Sequence, residues 1–117
     1  MSSKMLDGEE ERLWLWQGRD YEGIECRIAA DQWKKHVAKR PEIADALELT
    51  KRAMENPAKE EHDPNRPDEA ERCFRLLSFL GEGRWERHWL RVSVKLMRQS
   101  DGCWVKFYQS CCYERMR

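Results

Sequence analysis

The chain has 117 residues, with 22 lysines and arginines against 22 aspartates and glutamates, so its formal net charge is zero. That length predicts one domain with a single core, and the even charge gives no general attraction to polyanions. No apolar run approaches the roughly 20 residues of a membrane span, and Met1-Ser2-Ser3-Lys4 lacks the apolar centre of a secretory signal. The charge is unevenly placed, however. Residues 1–71 carry 12 basic and 18 acidic side chains, a balance of −6, and residues 72–117 carry 10 and 4, a balance of +6. A basic C-terminal half can meet a polyanion; the alternative is a solvated surface laced with ion pairs. The five cysteines show no Cys-x-x-Cys spacing. Neither a disulfide framework nor a zinc site is expected, and reduced thiols point to the cytoplasm.

Residues 1–11, ending in Asp7-Gly8-Glu9-Glu10-Glu11, read as a flexible acidic leader, with 12–117 as one α+β domain. Leu13-Trp14-Leu15-Trp16 is strand-like and Gly18-Arg19-Asp20 turns the chain. Glu22 to Ala29 alternates, with Ile24, Cys26 and Ile28 on one face and Glu25 and Arg27 on the other. The pair predicts a hairpin. Asp31 is placed to cap a helix carrying Trp33, His36 and Val37. Pro41 disfavours helical geometry at Arg40 and can open a second helix. That helix runs to Glu55, with Ile43, Ala46, Leu47, Thr50 and Met54 at helical spacing, and Asn56-Pro57 stops it. Residues 58–71, charged and containing Pro64 and Pro67, read as a long exposed connection. Cys73 to Leu80 is a strand, Gly81-Glu82-Gly83 a turn, and His88 to Leu96 a strand with strict alternation. Gln99-Ser100-Asp101-Gly102 makes a hairpin turn, and Trp104 to about Tyr113 closes the set. The order β-β-α-α-β-β-β predicts an α+β fold: two N-terminal strands, two helices, then a three-stranded antiparallel sheet.

His36 and Arg40 sit four residues apart and project from one helical face. An imidazole moves a proton near neutral pH, and a guanidinium fork holds two phosphate oxygens. On the strands, alternation turns Leu90, Val92, Val94 and Leu96 to the core and Arg91, Ser93 and Lys95 away from it. Val105 and Phe107 face one way, and Trp104, Lys106, Tyr108 and Ser110 the other. With Arg75 between Phe74 and Leu76, adjacent strands could present Arg75, Lys95, Tyr108 or Ser110 on one surface. A bound phosphate would offset the mutual repulsion of such cations. The plainer alternative has each cation pointing into water from a solvated sheet face, and His36 as a packed helix histidine. Arg91, Trp104, Lys106 and Tyr108 are candidates for nucleic-acid contact, Trp104 by stacking on unpaired bases. The six tryptophans also suit packing or a protein interface. His62, Asp63 and the scattered cysteines give no ligand spacing, so no metal and no cofactor are expected.

The succession Trp33-x-x-His36-x-x-x-Arg40-Pro41-Glu42, helix, Asn56-Pro57, Asp63, Arg75 on a strand, Val92-x-Val94-Lys95 on the next and Ser110 on the last carries a resemblance. It is similar to the phage and toxin-type members of the barnase–EndoU–colicin–RelE grouping of small nucleases, over residues 24–113. The resemblance implies a helical pair packed on an antiparallel sheet and metal-independent cleavage of RNA. It further implies a site made of His36 and Arg40 on the helix, Arg75 and Lys95 on central strands and Ser110 on the last strand. In the grouping that last strand reads as a threonine or serine, a small residue and an aromatic; here Ser110 is followed by Cys111-Cys112-Tyr113. The chemistry would be attack of a 2′-hydroxyl on the adjacent phosphorus, leaving a 2′,3′-cyclic phosphate, with His36 as base or acid. RNA is the expected partner, with room for a cognate protein inhibitor and no membrane. Two other readings stay open. One is a non-catalytic interaction protein, a homodimer through the Trp-rich hairpin of residues 13–28. The other is a nucleic-acid-binding module without catalysis, against which the zero net charge counts. The nuclease reading requires His36, Arg40, Arg75 and Lys95 to converge on one groove.

Overall fold

Residues 13–66, 72–80 and 87–115 are described by the computed structural model; the acidic leader and the Gly81-Glu82-Gly83 turn lie outside them. Strands β1 (Trp14–Arg19) and β2 (Glu25–Ala29) form the antiparallel hairpin expected from their alternation. Its turn is tied by the Asp20 carboxylate, which accepts the N–H groups of Glu22 and Ile24 at 2.9 Å each. The Trp16 indole lies so close over Gly18 that a Cβ there would meet it at 2.3 Å. Only glycine fits that approach.

Helix α1 (Ala30–Lys39) follows β2 without a break. Asp31 is not its cap: the cap residue is Ala29, with no side-chain bond, and the Asp31 carboxylate accepts the N–H of Gln32 inside the first turn. The second helix is also shorter than its spacing suggests. Pro41–Ile43 is a 3-10 turn, Ala46 leaves helical geometry (φ −96°, ψ 7°), and α2 then runs over Leu47–Glu55 with Thr50, Ala53 and Met54 buried.

The sheet departs furthest from expectation. Strands β3 (Lys59–His62), β4 (Cys73–Leu80), β5 (His88–Arg98) and β6 (Trp104–Arg115) join the hairpin in one six-stranded mixed sheet, ordered β1-β2-β6-β5-β4-β3. This corrects the separate three-stranded antiparallel sheet. β2 runs parallel to β6, through the pairs Glu25–Val105, Cys26–Lys106 and Arg27–Phe107, and the remaining neighbours are antiparallel. β3 lies in the stretch read as an exposed connection. Lys59-Glu60-Glu61-His62 has no apolar alternation to reveal it, and charged side chains are what a sheet edge uses against further pairing. The parallel pair is hidden for another reason: a period of two shows a strand's faces, not its neighbours.

Both helices cover one face of this sheet. The core there joins Cys26, Ile28, Leu76, Leu90, Val92 and Val94 with Trp33, Ile43, Ala46, Ala53 and Met54. Among the described residues no helix is long and apolar enough to cross a membrane.

Two bulges decide where site residues point. In β1 the register shifts between Trp14 and Trp16, so Trp16 packs on the core while Trp14 turns to the open face, beside Phe107. In β6, Tyr108 stands opposite Val94 but Ser110 opposite Ser93, which leaves Gln109 as the extra residue. Strict alternation would put Tyr108 and Ser110 on one face. The bulge instead sends Tyr108 under the helices and leaves Ser110 with Ser93 on the open side.

Candidate functional site

Gln32 and His36 lie at i and i+4 on α1, with Arg40 a further four residues on, just past its end. Along a helix such residues share one edge, about 6 Å of rise apart per step. Trp33 pins the helix to the sheet, its ring 5.6 Å from that of Tyr108. Because β2 pairs with β6 only as far as Phe107, the edge of β6 from Tyr108 onward faces α1 and the 3-10 turn rather than a strand.

A cleft of about 220 Å³ opens at that edge. It is lined by His36, Lys39 and Arg40, by Arg91 from β5 and by Ser110, Cys111 and Cys112 from β6. Among the described residues no carboxylate lines it. Of its four basic residues only Arg91 has an acidic partner among the described residues, Glu114, with Nη1 2.8 Å from Oε2.

Burial lowers the pKa of His36 below its ordinary 6.5, and the charges of Lys39, Lys35 and Arg40 push it further down. The imidazole is therefore neutral at pH 7. Its Nδ1 lies 2.9 Å from the Tyr108 hydroxyl, which also reaches Cys111 Sγ at 3.5 Å. Burial, with Cys111 beside it, raises the pKa of Tyr108, so the phenol keeps its one proton. With the O–H donating to the Cys111 sulfur, the phenol oxygen accepts from Nδ1–H, and Nε2 is left bare as a base. Burial also raises the Cys111 pKa above 9.0, despite hydrogen bonds from Tyr108 and Thr50. Cys111 is thus a thiol rather than a nucleophile near neutrality.

Arg75 and Lys95 do not join this cleft. Arg75 pairs across from Ser93, and Lys95 stands between Cys73 and Phe107. Their neighbours Leu76, Val92 and Val94 are buried under the helices, so by alternation both cations belong to the open face. There Arg75 lies 3.4 Å from Glu114 Oε2 and 3.9 Å from Glu61 Oε1. The expected meeting of His36 and Arg40 with Arg75 and Lys95 is not formed. Arg91 and Ser110, which stand where β6 has lost its neighbour strand, do reach the cleft, and they also line a hollow beside Asp63 and Arg66.

Two residues read as nucleic-acid contacts are inside the protein: Lys106 and Tyr108 are each 3 % exposed. Lys106 Nζ lies 2.7 Å from Asp20 Oδ2. Burial alone would raise the Asp20 pKa, but the hydrogen bond from Lys106, with the N–H groups of Ile24 and Glu22, holds the carboxyl below its usual value. Trp104 stays exposed at the start of β6.

Comparison with known proteins finds no matching family model, no matching curated protein and no matching solved structure. The likeness to the nuclease grouping therefore rests on the residues quoted for it. Among the described residues, no three His, Cys, Asp or Glu side chains gather as a set able to hold a metal ion. Sequence reasoning passed over Lys39 and Gln32. Both were legible as spacing, Lys39 three residues after His36 and Gln32 four before it; Cys111 and Cys112 carried no such signal.

Proposed function

We propose that this protein is a small ribonuclease-like domain that seats an RNA phosphodiester in the His36–Arg40 cleft and opens it by 2′-hydroxyl attack, with no metal taking part. One observation carries the reading: four basic residues meet in a cleft that, among the described residues, no carboxylate lines. An anion is the partner that relieves their repulsion. The forks of Arg40 and Arg91 suit the non-bridging oxygens, where charge grows during attack. Arg91 takes the role first expected of Arg75 and Lys95. His36, neutral and steadied by Tyr108, accepts the 2′-hydroxyl proton at Nε2. The O2′ oxygen then bonds to phosphorus, the bond from phosphorus to O5′ breaks, and O5′ takes a proton from solvent. All five cysteines remain thiols, which supports a reducing, cytoplasmic setting. A cognate inhibitor would need an acidic surface to close the cleft.

Cleavage of a defined RNA in EDTA by wild type, His36→Ala, Arg40→Ala and Lys95→Ala tests this. Loss of the base is expected to cost roughly a hundredfold or more, Arg40→Ala to weaken cleavage strongly, and Lys95→Ala to leave it unchanged. The products should end in 2′,3′-cyclic phosphate. Equal cleavage by all four proteins would sink the reading.

A second reading draws on the edge of the sheet. β1 is its terminal strand, and Leu13 and Leu15 are 79 % and 41 % exposed. Such an edge can pair with a second copy of the chain. Light scattering separates the two readings, since a dimer dissolved by Leu15→Lys, with no RNA cleavage, favours the interaction module.

A further inference from the structure

A second cleft lies on the other side of the Gln109 bulge, and we infer that it takes an unpaired base of the RNA strand whose phosphate sits in the His36–Arg40 cleft. The identity of the strand rests on the function proposed above; the shape and chemistry of the cleft do not. Its volume, about 410 Å³, falls within the range of small-molecule sites. Trp14 and Phe107 meet in it with ring centroids 5.8 Å apart and planes tilted by 36°. The Arg27 guanidinium lies 5.0 Å from the centre of the Trp14 ring and is held there by Glu25 at 2.6 Å. Indole, phenyl and guanidinium planes are the surfaces on which single-stranded bases stack.

Polar groups stand at the rim. Gln32 donates Nε2 to the carbonyl of Gln109 at 2.8 Å, leaving its Oε1 for the edge of a base. The two bulges build this place: one turns Trp14 toward Phe107, the other brings Gln109 out of the ladder. Bulges that re-aim side chains in this way recur beside active sites.

The two clefts follow one another along the same two elements, α1 and β6. Tyr108 and Gln109 line the first and Ser110 to Cys112 line the second, so about two residues of strand, ~7 Å, separate them. Along α1 the same order holds, Gln32 at the first cleft and His36 and Arg40 at the second. A single strand lying along the α1–β6 seam would therefore meet stacking surfaces and then cations. A base held in a duplex could not enter.

The experiment measures binding of three uncleavable 2′-O-methyl probes: hexaadenylate, an abasic hexamer with the same phosphates, and an adenylate–uridylate duplex. Wild type is expected to bind hexaadenylate at least about fivefold more tightly than the abasic hexamer, as one stacked base would give. The duplex should bind no better than the abasic strand. Trp14→Ala, and Arg27→Gln as a variant that spares the packing, should bring hexaadenylate down to the abasic level without changing abasic binding. Arg40→Ala should weaken both single strands by the same factor. Equal binding of hexaadenylate and the abasic hexamer by wild type overturns the base cleft, and if Arg40→Ala still weakens both, the phosphate site survives. No binding of either strand overturns both.

Discussion

Asp20 and Lys106 show what a single buried residue can hide from its sequence. Lys106 stands in a strand where alternation reads as a solvated cation, and its partner lies 86 residues away. The Lys106 and Asp20 side chains are 4 % and 0 % exposed, so the pair fixes the β1–β2 turn against β6 from within. Removing one partner strands a charge in the interior. Lys106→Ala should therefore cost about 3–5 kcal/mol in a denaturant titration, and Lys106→Met combined with Asp20→Asn, which keeps an acceptor for the N–H groups of Glu22 and Ile24, should cost less. The same pair sets a dependence on acid. Asp20 has a folded pKa below its ordinary 3.8, so its contribution is full above that value and is lost as pH falls through the lower folded one. His36 adds a second, separate slope. Its folded pKa lies below 6.5, so the unfolded chain takes up the proton first and stability falls as pH drops through that range. His36→Gln should flatten this slope near pH 6 and leave the acid limb in place; an unchanged slope would place the cause elsewhere.

Among the elements, those with an apolar pattern were legible and those without one were not. The hairpin, β4, β5 and β6 follow from alternation, and the burial of Thr50 and Met54 follows from helical spacing. β3 was missed because four polar side chains carry no pattern. The break at Ala46 was missed because Ile43 and Ala46 are fully buried and so continue the helical stripe across a turn. The bulge at Gln109 matters most for function, and one inserted residue in an otherwise regular strand leaves no trace in composition. It parts Tyr108, which meets the helices, from Ser110, which alternation alone would put on the same face. Deletion of Gln109 should leave a regular ladder with Tyr108 still opposite Val94 and beside His36, read as an unchanged His36 titration in a protein that still folds. Helix α2 is held by burial instead. Met54→Ala should cost about 2–5 kcal/mol, whereas Leu15→Ala on the exposed edge should stay within about 0.5 kcal/mol in the same titration.

For the molecule as a whole, the uneven charge of the two halves was a partial guide. The described basic residues of the C-terminal half part company: Arg75 and Lys95 go to the open face, where Glu61 and Glu114 stand beside Arg75, and Lys106 is buried. The cleft draws three of its four basic residues, His36, Lys39 and Arg40, from the acidic N-terminal half. The His36–Arg40 pair was readable from spacing; its companions were set by where β6 parts from β2, which no local pattern encodes. The central claim is that this cleft holds a phosphate. The most direct measurement is an NMR titration of His36 in wild type and Arg40→Ala, each with and without inorganic phosphate. In wild type His36 should titrate below 6.5 without phosphate, and the bound anion should raise it; Arg40→Ala should blunt that rise. An unchanged His36 pKa on adding phosphate to wild type would contradict the phosphate site.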